Sequence, residues 1–91
     1  MIVQAEISLY PLGESEYGTR IKSFIEKLEK SGLDVKPGSM STIISGECGD
    51  VFRILSEAYE GDISSGDSVL TVKVSNACPG TATFEAGTLQ R

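Results

Sequence analysis

Ninety-one residues with 13 acidic and 8 basic side chains, a net charge of −5 and no histidine describe one small acidic domain. That balance argues against a sequence-independent grip on nucleic acid, and the missing imidazole removes the usual general base at neutral pH. No stretch approaches the ~18 apolar residues of a membrane span, and the N-terminus opens in strand pattern, without the basic and apolar regions of a signal peptide. Cys48 and Cys78 lie in no metal-ligand spacing, so two reduced, packed cysteines in a cytoplasmic protein and no metal site are expected.

The first element is a strand over Val3–Pro11. Val3, Ala5, Ile7 and Leu9 fall on one face, and Gln4, Glu6, Ser8 and Tyr10 on the other, as period-two alternation requires. A helical pattern follows from about Ser15 to Ser31. Its apolar stripe is Tyr17, Ile21, Phe24, Ile25 and Leu28, with Arg20, Lys22, Glu26, Lys27, Glu29 and Lys30 on the remaining surface. Glu14 and Ser15 are candidate N-terminal caps, and Gly32 occupies the usual stop position. Leu33–Lys36 alternates as a short strand ended by Pro37-Gly38, which places it at a sheet edge because proline cannot donate to a ladder. Thr42–Ser45 reads as a third strand closed by Gly46. A second helix runs from about Asp50 to Tyr59, burying Val51, Ile54, Leu55 and Ala58 with Phe52 and Tyr59 at the margins. The last strand spans Ser68–Asn76, with Leu70, Val72 and Val74 on one side and Thr71, Lys73 and Ser75 on the other. Residues 81–91 read as a tail, with a possible short strand near Thr81–Phe84.

The order β-α-β-β-α-β, with right-handed crossovers, closes most simply into an α+β ferredoxin-like sandwich over residues 1–80, with both helices on one face of a four-stranded antiparallel sheet. The uncovered face then carries Gln4, Glu6, Ser8 and Tyr10 from the first strand and Thr71, Lys73 and Ser75 from the last. Thr42 and Ile44 join them if Ile43 is the core residue of the third strand. Such a face can be merely solvated or buried in a dimer. It can also be a rigid floor for a small polar molecule, with Glu6 meeting either Lys73 or a cationic ligand and Tyr10 offering a flat ring. Phosphate-cradling glycine motifs are missing. Gly46-Glu47-Cys48-Gly49 opens a helix that can receive an anion, although a plain turn and cap explains it as well. Tyr10 alone does not make the aromatic platform of an RNA-binding sheet.

Three segments together resemble the YkoF-like thiamine-binding family. They are Ala5-Glu6-Ile7-Ser8-Leu9-Tyr10-Pro11-Leu12-Gly13, the hydroxyl-rich Met40-Ser41-Thr42-Ile43-Ile44-Ser45-Gly46-Glu47, and Val74-Ser75-Asn76-Ala77-Cys78-Pro79-Gly80. The resemblance implies a ferredoxin-like fold, binding of thiamine or its hydroxymethylpyrimidine half without catalysis, and a role in vitamin supply or salvage. Family chains with two repeats imply that this single-repeat chain works as a homodimer or higher homo-oligomer. The expected ligand-binding residues are Glu6, Ser8, Tyr10, Ser41, Thr42 and Ser75, led by Ser8 and Thr42 for the pyrimidine. Asn76 and Cys78 are expected to shape the strand end. The competing reading is a structural or regulatory module that uses the open face only to oligomerise. An acylphosphatase-like hydrolase would need an arginine loop directly after the first strand, and Arg20 lies inside the helical pattern instead.

Overall fold

Alternation along β1, Ile2–Pro11, makes it a central strand whose two faces have different jobs. Val3, Ala5, Ile7 and Leu9 are buried, while the residues between them are half-buried or exposed. The computed structural model describes residues 1–13 and 17–77. The expected caps Glu14 and Ser15, the side chain of Tyr17, the Cys78-Pro79-Gly80 exit and the tail lie outside the described residues.

The elements after β1 are α1 (Tyr17–Glu29), β2 (Asp34–Pro37), β3 (Thr42–Glu47), α2 (Cys48–Ile63) and β4 (Ser68–Ser75). The sheet order is β2-β3-β1-β4, and every neighbouring pair is antiparallel. Each helix carries the chain over one intervening strand, α1 past β3 and α2 past β1. This is the ferredoxin-like α+β arrangement expected from the element order.

Two apolar stripes close the helix layer onto the sheet. Phe24 and Leu28 of α1 and Val51, Ile54, Leu55 and Ala58 of α2 are buried against Val3, Ala5, Ile7, Leu9 and Ile44. Fully burying a side chain such as Leu28, Ile7 or Ile44 contributes about 1.5–3 kcal/mol before entropy is charged against it. Gly32, at φ +89°, ends α1 in the left-handed conformation expected of it. Gly46 has a different role: a Cβ there would lie 2.7 Å from Leu33 Cδ2, so the missing side chain lets Leu33 fold over β3.

Three sequence expectations are corrected. Arg20 is buried, not on the helix surface. α2 starts at Cys48 and runs on through Gly61 to Ile63. The β3 register is the reverse of the one that would display Thr42 and Ile44: Ala5 faces Ile44 and Ile7 faces Thr42 across the ladder. Opposed residues share a face, so Thr42 and Ile44 join the core side, and both are buried. Ile43 and Ser45 take the open face instead.

Arg20 and Asp62 extend the buried stripes of their helices by one turn and meet between them. Arg20 Nε donates to Asp62 Oδ1 at 3.0 Å and Nη2 to Oδ2 at 2.7 Å, the bidentate fork that matches guanidinium to carboxylate. Nη2 also reaches the carbonyls of Asp62 and Gly66, at 3.3 and 3.1 Å, and Ser68 Oγ donates to Asp62 Oδ2 at 2.8 Å. Burial pushes the Asp62 carboxyl up, but the hydrogen bonds from Arg20 and Ser68, with the positive charges of Arg20 and Lys27, outweigh it. The net effect holds Asp62 below the ordinary aspartate value. The cluster ties α1 to the end of α2 and to the start of β4.

Candidate functional site

The uncovered face of the sheet is assembled from rows of cross-strand neighbours. Lys36, Ile43, Glu6 and Lys73 form one row across all four strands, and Asp34, Ser45, Gln4 and Ser75 form the next. Toward the other end of β1, Ser8 lies opposite Thr71 and Tyr10 opposite Val69. Because β1 is paired on both sides, its outward side chains are held more rigidly than loop residues are.

Glu6 is the centre of a polar cluster. Ser41 Oγ donates to Glu6 Oε2 at 2.9 Å, and Lys73 Nζ lies 3.8 Å from Oε1, the cross-strand pairing anticipated from the alternation. Ser8 Oγ donates to the Met40 carbonyl at 3.3 Å. The turn between β2 and β3 is thereby drawn over β1 by two side-chain hydrogen bonds. These partners are exchangeable: the Glu6 side chain is 47% exposed and Lys73 88%, so water or a ligand competes for both.

Of the six residues expected to bind a ligand, Glu6, Ser8 and Ser41 are brought together. Tyr10 stands two residues beyond Ser8 on the same face, 52% exposed, opposite Val69 across the ladder. Ser75 shares the face but lies a row away, and its hydroxyl accepts the Ala77 N–H at 3.0 Å, which shapes the strand exit. Thr42 is excluded, because its side chain is on the helix-covered side. The condition under which Thr42 and Ile44 would line this face, Ile43 in the core, is not met: Ile43 sits on the open face between Lys36 and Glu6. The missed signal was Glu47. It belongs to β3, so a charged residue in the same alternation as Ser45 and Ile43 marks that side as the wet one.

Chemically, the cluster presents a carboxylate and three hydroxyls, Ser8, Ser41 and Thr71, next to an aromatic ring. It can accept hydrogen bonds from an amino group or answer a cation, and the ring can lie against a flat heterocycle. Among the described residues no group of acidic or cysteine side chains is arranged to hold a metal, and no helix is long and apolar enough to cross a membrane.

A model of the YKOF-related family matches residues 2–81. The chain belongs to that family. At the sequence level it is similar to UPF0045 protein MJ1052 of Methanocaldococcus jannaschii, with 29% identity over 70 residues, covering 76% of this chain and 70% of the relative. The crystal structure of MJ1052 superposes with a TM-score of 0.79 at 27% identity, covering 92% of this chain and 89% of that one. A Thermotoga maritima protein provisionally named for thiamine biosynthesis or salvage superposes with a TM-score of 0.75 at 21% identity, over 81% of this chain and 82% of that one. Protein SP2199 of Streptococcus pneumoniae gives a TM-score of 0.78 at 22% identity, over 82% and 86%. The last two likenesses are of fold alone.

Proposed function

We propose that this YKOF-related chain is a non-catalytic binding protein for thiamine or its hydroxymethylpyrimidine moiety, acting in vitamin supply or salvage in the cytoplasm. The ligand rests on the open sheet face. The observation that carries this reading is the Glu6–Ser41–Ser8 cluster on the central strand, with Tyr10 on the same face. An aminopyrimidine has hydrogen-bond donors and acceptors along one edge. Its amino group suits the Glu6 carboxylate, and its ring nitrogens suit the serine hydroxyls. Glu6 also answers the positive thiazolium of intact thiamine, and Tyr10 offers a face for either ring. The name of the Thermotoga maritima neighbour points the same way.

A ligand on this face competes with Ser41 for Glu6 and with the Met40 carbonyl for the Ser8 hydroxyl. Both existing bonds are solvent-exposed and cost little to exchange. Calorimetric titration with thiamine and, separately, with hydroxymethylpyrimidine is the test. Saturable heat with one of them is expected; heat no greater than that of buffer at millimolar ligand overturns the reading. Incubating thiamine with the protein should return the vitamin unchanged, and its conversion would replace a binding role by an enzymatic one.

A further inference from the structure

The helix layer, on the far side of the sheet from the open face, carries a cavity of its own. It lies half-open along the seam between α1 and α2, has a volume of about 470 Å³, and is lined by Lys27, Lys30 and Ser31 of α1 and Ile54, Glu57 and Ala58 of α2. That volume is in the usual range for small-molecule sites. Ile54 and Ala58, one turn apart on α2, belong to the buried core and give the cavity an apolar floor. The α1 rim is cationic, on a chain whose net charge is −5. Among the described residues Arg20, Lys36, Arg53 and Lys73 each have a carboxylate partner. Lys27 and Lys30 have none, although Glu26 stands one turn before Lys30, the favoured spacing for a helix ion pair. Glu57, the carboxylate of the lining, is drawn instead to Arg53 on its own helix, with Nη1 3.7 Å from Oε2. Gly61 supplies an independent observation. It stands inside α2, where glycine is among the least favourable residues. A Cβ at Gly61 would collide with Lys27 Nζ, so the bare backbone lets that ammonium lie across the seam. Lysines in the last turn of α1 suit its dipole, but the dipole does not account for an ammonium laid over the neighbouring helix.

From the cavity, its uncancelled lysines and the glycine beneath one of them, we infer that the α1–α2 seam binds a small organic anion. An apolar body rests on Ile54 and Ala58, and one carboxylate or phosphate is held by Lys27 and Lys30, whatever ligand the open sheet face takes. Charge sets both the sign and the orientation. The anionic head goes to the α1 rim, where the two ammonium groups are, and away from Glu57 on the α2 rim. The Ser31 hydroxyl shapes the end of α1 more than it serves the head group. It donates to the Leu28 carbonyl at 2.5 Å and accepts the Leu33 N–H at 3.2 Å. A neutral molecule with the same body gains the floor but not the lysines. An inorganic anion gains the lysines but not the floor. A cation such as thiamine meets two like charges, so the seam and the open face select opposite signs of ligand.

Titration of the isotope-labelled full chain with hexanoate, hexyl phosphate and hexanol, each into the millimolar range and followed by amide NMR shifts, tests the inference. Saturable shifts at Ser31, Ile54, Ala58 and Gly61 are expected with at least one of the anions, and binding of hexanol at least ~10-fold weaker. The tighter of the two anions identifies the head group. Lys27→Met combined with Lys30→Met should weaken that anion at least ~10-fold. Lys22→Met, an exposed position on the same helix outside the cavity, is the control and leaves its affinity unchanged. Gly61→Ala favours the helix but pushes the Lys27 ammonium out of the seam, so it should weaken the anion without loss of stability. Circular dichroism and urea midpoints establish that the variants fold. No saturable shift with either anion overturns the inference. So does equal affinity for hexanol, the behaviour of an apolar groove indifferent to charge. Shifts confined to the amides of Glu6, Ser8 and Thr71 overturn it by putting the anion on the sheet. Unchanged affinity in the double lysine variant or in Gly61→Ala overturns it as well, since Lys27 would then serve only the charge of Asp62.

Discussion

Two clusters in this molecule use the same three kinds of group and do opposite things with them. Asp62 takes a serine hydroxyl at 2.8 Å and an arginine fork at 2.7 and 3.0 Å, with both charged partners buried. Glu6 takes a serine hydroxyl at 2.9 Å and a lysine at 3.8 Å, and stands in solvent. In the first, removal of water makes each contact strong and makes an unpaired partner costly. In the second, water competes for every contact, so the groups remain available to something else. Burial, more than composition, separates a structural tie from a candidate recognition surface.

The largest effect that can break this comparison comes from the buried side. Asp62→Ala removes the carboxylate that the buried Arg20 guanidinium grips as a fork, and should cost about 3–5 kcal/mol of unfolding free energy, read from urea denaturation. A loss no larger than that of an exposed pair would show that the cluster contributes nothing special.

The next effect is in pH. Asp62 is held below the ordinary aspartate value, so its contribution is fully present above the unfolded value of about 3.9. It is lost as the pH falls through the lower folded value. Urea midpoints followed from roughly pH 5 to 2 should therefore fall more steeply for the native chain than for Asp62→Asn, which has no carboxylate to protonate. Parallel curves would remove Asp62 from the acid response.

On the exposed side the expected effects divide differently. Glu6→Gln keeps the shape but loses the charge. It should weaken thiamine at least ~10-fold in calorimetry, the scale of one charge-assisted hydrogen bond, while changing stability by less than about 1 kcal/mol. Equal affinity would dismiss Glu6 as a ligand partner. Thr42→Val should give the smallest change in binding of all, since its side chain faces the core. A clear loss of affinity with the fold intact would mean that the β3 register differs from the one described here.

Much of this contrast was legible along the chain, and the failures are instructive. β1 alternates without ambiguity, so Glu6, Ser8 and Tyr10 went to one face and the core residues to the other. The alternation of β4 puts Lys73 on the same face as Glu6, which makes it one of the two partners open to that carboxylate. The third strand was not decidable in the same way. Ile43 and Ile44 are adjacent and equally apolar, and a shift of one residue moves every side chain to the opposite face. Glu47, the last residue of β3, settles it by marking the side of Ile43 and Ser45 as the solvated one. Arg20 falls outside the apolar stripe of the helical pattern, which places it on the surface by residue type alone. Its spacing, one turn before Phe24 and two before Leu28, put it on the buried stripe all the same, as Asp62 extends the stripe of Ala58.

The order of elements, the faces of β1 and the two helix stripes were set by periodicity, which is a local property that a single segment carries by itself. The tertiary structure alone decided that Arg20 and Asp62 meet, and that Thr42 faces the core while Ser41 reaches Glu6. Each of these depends on which segment lies beside which. The free energy of a charge or a hydroxyl is set by the neighbours and the water around it, and no position along the chain specifies those on its own.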